Sequence, residues 1–218
     1  MKSKIFFITG SDTGAGKTVL AVQLTRYLRQ RGKRVAGLKP ICSGGRGDAR
    51  ALHDAAGKIL TLDEVNPWHF RSPLAPLLAA RKDNRRVRLR EVVAHGRRVA
   101  IRFEVVVVEG AGGLLSPLGV GFDSRDLIRA LRATPVVVCP NRLGAVNQAL
   151  LVLEALPGDL APTAQVVLSA AQTDSSSVAN VKLLGELIGA KRVHELPRVK
   201  QRTTVAPRLH SLLSRLAD

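Results

Sequence analysis

The sequence predicts an α/β fold of three layers, α/β/α, around a mostly parallel sheet. Strand-like and helix-like segments alternate along the chain, as in folds whose parallel strands are joined by crossover helices. Residues 105–108 are four consecutive valines, and such an uninterrupted run is typical of a strand buried on both faces. The chain has 218 residues, 45% of them apolar, with no internal repeat or long linker. We therefore expect residues 1–218 to form a single domain.

The N-terminal segment predicts a strand, a loop, a helix and a second strand. Residues 4–9 contain an apolar run and form the first predicted strand. Apolar side chains recur at helical spacing through residues 17–31, and Gly32 is the usual kind of residue to end that helix. Residues 34–39 form the second predicted strand, which ends at Pro40 because proline cannot donate a ladder hydrogen bond.

The next segment is less regular. Residues 41–47 are rich in Gly and Ser and are predicted to be a loop. A short helix is expected to begin near Asp48, a residue that could also cap it. Asn66 and three prolines up to position 76 indicate an irregular region. A helix is predicted at the end of this region, at residues 74–81, and another at residues 88–98.

The C-terminal half alternates more evenly. The valine run lies in a strand predicted at residues 103–109, which ends abruptly at Gly110. A helix between successive strands lets them run parallel. We expect helices at residues 125–131, 145–156, 178–188 and 209–216, and strands at residues 135–139, 165–168 and 193–196.

The loop between the first strand and the first helix predicts phosphate binding. Residues 10–18 read GSDTGAGKT. In such a loop the backbone N–H groups and the positive end of the helix dipole face a polyphosphate. Lys17 would reach the terminal phosphates, and the Thr18 hydroxyl would bind Mg²⁺. Ser11 replaces the first glycine of the strict pattern. The loop is thus a variant, and the fold is expected to be like that of P-loop NTPases.

Charged residues stand where the neighbouring strands end. Lys39 ends the second strand, Glu109 ends the valine strand, and Asp48 follows in the loop after the second strand. Ligands bind at the carboxyl ends of parallel strands, and these carboxylates with Thr18 would offer oxygen ligands to a hard cation. Singly, Lys39 could be a surface residue, Asp48 a helix cap and residues 110–113 an ordinary turn. Beside a phosphate loop, they favour an active site whose glycine-rich turn a substrate approaches closely.

Composition narrows the class of protein. The net charge is +17, and nine basic residues lie between Arg81 and Arg102. No aromatic residues are interleaved there to stack on bases, so we favour a solvated basic face over an anionic partner. No apolar run is long enough to span a bilayer or to be a secretory signal. Cys42, Cys139 and five histidines show no metal-type spacing, so we expect reduced thiols in a cytoplasmic enzyme.

Four ordered motifs carry a family resemblance. They are GSDTGAGKT at residues 10–18, GLKP at 37–40 followed by Ser43 and Asp48, VEGAGGLLSPL at 108–118, and RLGAVNQ at 142–148. VNP at residues 65–67 and ELP at residues 195–197 extend the match. In these motifs and their order the chain closely resembles the dethiobiotin synthetases of biotin biosynthesis over most of its length.

The resemblance implies a reaction and an assembly. A member of this family is an ATP- and Mg²⁺-dependent ligase that converts 7,8-diaminononanoate, CO₂ and ATP to dethiobiotin, ADP and phosphate. A carbamate forms on one amine, ATP phosphorylates it to a carbamic-phosphoric anhydride, and the second amine closes a cyclic urea. A homodimer is also implied.

The resemblance also implies roles for individual residues. Lys39 and Lys17 match catalytic lysines, and Thr18, Asp48 and Glu109 match metal ligands. Thr13 and Ser43 match residues near the diamine and its carbamate, while Asn147 matches a segment that reaches the substrate carboxylate across the dimer interface. The nucleotide site implied in this way comprises Gly14, Ala15, Gly16, Lys17, Thr18, Val19, Asp48, Glu109, Gly110, Ala111, Gly112, Ser169 and Pro197.

Two departures from the family pattern concern the base and ribose of the nucleotide. The family usually has Asn-Asp after the strand matching residues 165–168, and that Asn reads adenine, whereas Ser169 and Ala170 stand here. Pro197 is followed by Arg198 rather than by an aromatic residue. We therefore expect weak selectivity for the base.

Two other classes use related folds. Partition-type ATPases that bind nucleic acid have a second lysine five residues before the main one, a position that Asp12 occupies here. Amidotransferase-like ligases need a glutaminase domain, for which the chain has neither the length nor a Cys-His pattern. The partition-type ATPase is the alternative interpretation, and nucleic acid is not an expected partner.

Overall fold

A computed structural model describes residues 3–170, 175–199, 205 and 209–217. Its main feature is a six-stranded sheet in the order β2-β5-β1-β6-β7-β8, in which every described pairing is parallel. The strands are β1 (Lys4–Gly10), β2 (Val35–Leu38), β3 (Ile41–Ser43), β4 (Trp68–Phe70), β5 (Val105–Glu109), β6 (Thr134–Pro140), β7 (Gln165–Ser169) and β8 (Val193–Leu196).

Helices cover both faces of the sheet, which gives the three layers that the sequence predicts. They are α1 (Lys17–Gln30), α2 (Gly47–Ala55), α3 (Leu62–Val65), α4 (Pro76–Lys82), α5 (Leu89–Arg102), α6 (Ser124–Leu131), α7 (Ala145–Ala155), α8 (Ser175–Ile188) and α9 (His210–Ala217). Within the described ranges, no helix is both long enough and apolar enough to cross a membrane.

The core is centred on β1 and its two neighbours. Phe6, Phe7 and Ile8 of β1 are buried, as are Val106 and Val108 of β5. Aliphatic side chains on both faces explain why these strands lie in the middle of the sheet. Because β1 pairs with β5 on one side and β6 on the other, the carboxyl ends of these strands meet at one edge. In sheets of this kind that edge forms the ligand crevice.

The structure corrects the prediction between the second strand and the valine strand. The loop predicted at residues 41–47 begins with β3, and the irregular region contains β4, with which β3 forms a small parallel sheet. Three-residue strands are too short to show an alternating pattern. The unpredicted α3 is a single turn that begins with a capping box between Thr61 and Glu64.

Candidate active site

The phosphate loop connects β1 to α1 in a conformation that needs glycine. Gly14 and Gly16 have φ values of 77° and 99°, in the left-handed region that favours glycine. Among the described residues, none caps the start of α1 with its side chain, and the first turn of α1 has no acidic residue. Its N–H groups are therefore available to an anion, as the sequence predicts for a phosphate-binding loop.

Lys17 extends back along this loop. Its Nζ donates to the backbone carbonyl oxygen of Asp12 at 2.7 Å, and the residue is buried. Burial lowers the pKa of Lys17, and the neighbouring charge of Lys39 lowers it further, while Glu109 and Asp12 offset part of the shift. A lysine held in this way places its charge over the loop that would hold a polyphosphate.

Lys39, Glu109 and Thr18 form a hydrogen-bonded cluster next to the loop. Leu38 pairs with Val108 in the sheet, so Lys39 and Glu109 leave adjacent strands at the same level. Glu109 Oε1 accepts hydrogen bonds from Lys39 Nζ and from Thr18 Oγ1, each at 2.7 Å. Lys39 is 4% exposed and Glu109 is 1% exposed, so this ion pair is screened from solvent.

Asp48 completes the arrangement from the first turn of α2. Its Oδ2 lies 3.4 Å from Lys39 Nζ, and its side chain is half exposed to the cleft. Burial opposes the charge on Lys39, but the carboxylates of Glu109 and Asp48 outweigh burial and raise the pKa of Lys39. The structure thus keeps one buried lysine cationic between two carboxylates.

The cluster and the phosphate loop share one cleft of about 650 Å³. Thr13 and Ser43 lie on its walls, and Ser43 Oγ donates to the carbonyl oxygen of Leu74 at 2.5 Å. One wall is apolar, formed by residues 73–76. The residues predicted to form the site that line this cleft are Thr13, Gly14, Gly16, Lys17, Thr18, Val19, Lys39, Ser43, Asp48, Glu109, Ala111 and Gly112.

The turn after β5 packs closely beneath the cleft. Lys39 Nζ donates to the carbonyl oxygen of Gly110 at 2.8 Å. Gly112 has a φ of 71°, and a Cβ there would lie 2.2 Å from Ser116 Oγ. A Cβ on Gly113 would lie 2.9 Å from the carbonyl oxygen of Ser11 in the phosphate loop. Glycine is therefore needed here for close packing as well as for conformation.

Five predicted residues do not line this cleft. Ala15 is buried, and its carbonyl oxygen accepts a hydrogen bond from Ser169 Oγ at 2.6 Å. Ser169 ends β7 and Pro197 follows the neighbouring strand β8, so the two lie on the far side of the loop. Asn147 is exposed on α7 and lines a separate, mostly apolar cavity of about 620 Å³. Gly110 contributes its carbonyl to Lys39 without lining the cleft.

The sequence did not indicate roles in the cleft for Cys42, Ser116 or the buried Asn66 behind Lys39. Cys42 and Ser116 line the cleft, and burial raises the pKa of the Cys42 thiol. Asn66 Nδ2 donates to the carbonyl oxygen of Lys39 at 2.6 Å. The motif VNP contains Asn66, but its role depends on a contact between segments that no spacing in the sequence reveals.

Comparison with known proteins identifies the family. A family model described as an AAA domain matches residues 4–206. The ATP-dependent dethiobiotin synthetase BioD of Anaeromyxobacter dehalogenans is 43% identical over 167 residues, which cover 75% of each chain. The protein of the same name from Anaeromyxobacter sp. strain Fw109-5 is 38% identical over 217 residues, covering 97% of this chain and 96% of that one. The chain belongs to the dethiobiotin synthetase family. Members of this family are ATP-dependent ligases.

Two solved structures with low sequence identity share the fold of this family member. A ParA family ATPase from Chlorobium tepidum has a TM-score of 0.56 and 13% identity, covering 99% of this chain and 90% of that one. The cell division protein FtsY from Thermotoga maritima has a TM-score of 0.54 and 13% identity, covering 92% and 63%. These likenesses confirm the predicted fold, which is like that of P-loop NTPases, and they indicate nothing about the substrate.

Proposed function

We propose that this chain is a dethiobiotin synthetase that closes the urea ring of dethiobiotin from 7,8-diaminononanoate, CO₂ and ATP, with ADP and phosphate as the other products. The observation that carries the proposal is the cluster of Lys39, Glu109, Thr18 and Asp48 beside a phosphate loop, in a chain of this family. A phosphate loop alone would fit any nucleotide hydrolase. A buried cationic lysine at the end of β2, two strands along the sheet from that loop, fits a reaction between two anions.

The proposed reaction forms and breaks bonds on the substrate. One amine adds to CO₂ and gives a carbamate. A carbamate oxygen then attacks the γ-phosphorus of ATP, forming the carbamic-phosphoric anhydride and releasing ADP. The second amine attacks the carbonyl carbon, phosphate leaves with the bridging oxygen, and the ring closes. Each anion must approach another anion during phosphoryl transfer, so positive charge placed between them lowers the barrier.

The lysines of the cleft supply that charge. Lys17 extends from the start of α1 along the loop, where the terminal phosphates of ATP would lie. Lys39 is 4% exposed and fixed by Glu109 and the Gly110 carbonyl, so its ammonium group is already oriented before substrates bind. We assign Lys39 to the carbamate side and Lys17 to the phosphate side. Thr13 and Ser43 face the same cleft and are assigned to the diamine and its carbamate.

The oxygen atoms of the cleft fit Mg²⁺. Glu109 Oε2 is buried and has no hydrogen-bond partner among the described residues. Thr18 donates its hydroxyl proton to Glu109 Oε1, which leaves the oxygen lone pairs of Thr18 for another partner. Mg²⁺ in such sites is bound by one or two carboxylates together with substrate phosphates, and Asp48 provides the second carboxylate. We therefore assign Thr18, Asp48 and Glu109 to Mg²⁺, which when bound would neutralise phosphate charge at the point of transfer.

The remaining assignments extend from this core. The backbone of residues 14–19 would hold the phosphates, together with the turn at residues 110–112. Ser169 and Pro197 are assigned to the base side of the nucleotide. Asn147 lies outside the cleft of its own chain, which is compatible with the proposed contact across a homodimer. We also propose that residues 1–218 act as one domain in the cytoplasm.

A reconstituted assay tests the proposed function. Purified protein would be supplied with the diamine, bicarbonate, ATP and Mg²⁺, and dethiobiotin measured by mass spectrometry beside ADP. We expect both products in equal amounts. A parallel reaction with duplex DNA instead of the diamine tests the alternative of a partition-type ATPase. ATP hydrolysis stimulated by DNA, without dethiobiotin formation, would overturn the proposal in favour of that alternative.

A further inference from the structure

A buried polar network lies behind the reacting groups. Asn66 is 1% exposed, and its Nδ2 donates to the carbonyl oxygen of Lys39 at 2.6 Å. The backbone N–H of Lys39 donates to the carbonyl oxygen of Val65, also at the end of α3. The backbone N–H and the backbone carbonyl of Lys39 are therefore both hydrogen-bonded by the segment at the end of α3, residues 65 and 66. Orientation of its ammonium group depends on this segment as well as on β2.

Arg46 ties the same segment to the start of α2. Its Nε donates to Asn66 Oδ1 at 3.1 Å. Its Nη2 donates to the carbonyl oxygens of Leu62 and Asn66 at 3.0 and 3.1 Å and to Asp63 Oδ1 at 2.8 Å. A planar guanidinium can serve several acceptors in one plane, which a lysine ammonium at the same position cannot reproduce.

Asp48 depends on this attachment. Arg46 is the residue immediately before α2, and Asp48 is in the first turn of that helix. Gly45 and Gly47 flank Arg46, and glycines restrict the backbone little. The guanidinium contacts therefore fix the path of the chain into α2. They hold the Asp48 carboxylate 3.4 Å from Lys39 Nζ although half of its side chain is exposed.

We infer that Arg46 and Asn66 are positioning residues that join the end of β2 to the start of α2, so that Lys39 and Asp48 keep a fixed separation. This inference rests on the proposed function for its effect on turnover. Its effect on the binding of a divalent cation can be measured without the diamine. The phosphate loop follows β1, at a different part of the sheet edge, and none of the hydrogen bonds described for Arg46 and Asn66 reaches it.

Because the network of Arg46 and Asn66 is separate from the phosphate loop, a substitution in the network should change kcat without changing ADP binding. Arg46→Lys retains the positive charge but loses the planar guanidinium and its several hydrogen bonds, so Asp48 should no longer be held in place. We expect kcat to fall about tenfold or more, because one buried charge-assisted hydrogen bond corresponds to roughly that factor. The dissociation constant of ADP measured without divalent cation is expected to stay within about twofold, because the loop is intact.

The test compares Arg46→Lys with Arg50→Lys. Arg50 is an exposed arginine on α2, four residues after Arg46, so the control carries the same chemical change without the network. Binding of Mn²⁺ in the presence of ADP would be followed by electron paramagnetic resonance, and kcat and the KM of ATP would be determined in the dethiobiotin assay. We expect weaker Mn²⁺ binding by severalfold in Arg46→Lys and wild-type behaviour in Arg50→Lys.

A second variant keeps the inference testable if Arg46→Lys folds poorly. Asn66→Asp keeps an acceptor for Arg46 and loses the donor to the Lys39 carbonyl, at nearly the same volume. We expect a lower kcat with unchanged ADP binding. Wild-type Mn²⁺ binding and kcat in every variant that folds would overturn the inference. Absence of dethiobiotin formation by the wild-type protein would instead refute the proposed function, while the comparison of Mn²⁺ binding would still decide the role of Arg46.

Discussion

The two sides of the nucleotide loop are built differently. On the side of β2 and β5, Lys39 and Glu109 are buried charges that contact each other at 2.7 Å. On the side of β7 and β8, Ser169 and Pro197 are short and neutral, and the Ser169 hydroxyl is engaged with the loop carbonyl of Ala15. In the proposed function, the first side serves the reacting phosphates. On the second side the described contact of Ser169 supports the loop, and in the proposed function this side offers few groups to recognise a base.

This contrast predicts which substitutions in this chain should have the largest effects. A buried ion pair with one partner removed leaves an uncompensated charge, so residues on the reacting side are tightly coupled. A hydroxyl that supports a loop can be replaced at a smaller cost. Substitutions on the reacting side should therefore change turnover most, and substitutions on the base side should change mainly selectivity.

The largest effect is expected from Lys39→Ala. The substitution removes the ammonium group from the transfer site, and we expect dethiobiotin formation to fall by roughly a thousandfold, as for loss of a preorganised transition-state contact. Binding of ATP should persist because Lys17 and the loop are unchanged. Product formation and ATP affinity would be measured together, with Lys33→Ala as an exposed control. Wild-type turnover in Lys39→Ala would contradict the proposal that the side of β2 and β5 carries the reaction.

Glu109→Gln should give the next largest effect. Glutamine keeps the shape of the side chain but loses the negative charge, so it should bind Mg²⁺ less well and compensate Lys39 less fully. We expect the Mg²⁺ concentration for half-maximal activity to rise roughly 10- to 100-fold. A titration of activity against Mg²⁺ measures it. An unchanged Mg²⁺ requirement would show that Glu109 does not bind the metal.

The two lysines of the cleft should titrate in opposite directions from the ordinary value. Burial and the charge of Lys39 lower the pKa of Lys17, whereas Glu109 and Asp48 overcome burial and raise the pKa of Lys39. As pH rises, Lys17 should lose its proton before Lys39. NMR spectra of labelled lysine side chains would follow both groups in the nucleotide-free protein. Loss of the Lys39 proton first would contradict the proposed electrostatics.

The shifted pKa values of the two lysines should make folding stability depend on pH. A raised folded-state pKa means that Lys39 contributes stability that is present below its ordinary pKa of 10.5 and lost as pH rises through the higher folded value. A lowered pKa means that charged Lys17 costs stability at neutral pH, and that cost disappears as pH rises from the lowered value towards 10.5. Chemical denaturation of Lys17→Met and the wild-type protein between neutral and alkaline pH would separate the two contributions.

The smallest effect is expected for the base of the nucleotide. The Ser169 hydroxyl already donates a hydrogen bond to the carbonyl oxygen of Ala15, so it is not free to donate to a base. We therefore expect kcat/KM for ATP, GTP and CTP to agree within about tenfold, a difference of only about 1.4 kcal/mol. Ser169→Asn should increase the preference for ATP. Strict selectivity for ATP in the wild-type protein would contradict the contrast between the two sides.

Much of this arrangement could be predicted from the sequence because its residues lie at or just after the ends of predicted strands. The loop at residues 10–18, Lys39 and Glu109 each follow an apolar run directly, and parallel strands bring their ends together. Asp48 also lies close to Lys39 as expected. The positions of Ser169 and Asn147 relative to the cleft could not be predicted, because they depend on helix orientation and on side-chain contacts across the sheet edge.

The region between β2 and α4 was the hardest to predict. Strands β3 and β4 have three residues each, and α3 has a single turn, so none shows a periodic pattern. The contacts of Arg46 and Asn66 join segments that are 20 residues apart. Such buried polar networks depend on geometry that only the folded chain provides.

The fate of the oxygen atoms of CO₂ tests the central claim most directly. Purified protein would be mixed rapidly with ¹⁸O-labelled CO₂, the diamine, ATP and Mg²⁺, and the phosphate released would be analysed by mass spectrometry. If a carbamate oxygen attacks the γ-phosphorus and leaves with phosphate, one ¹⁸O atom should appear in phosphate for each dethiobiotin formed. Unlabelled phosphate, released by water attack on ATP, would contradict transfer to the carbamate beside Lys39.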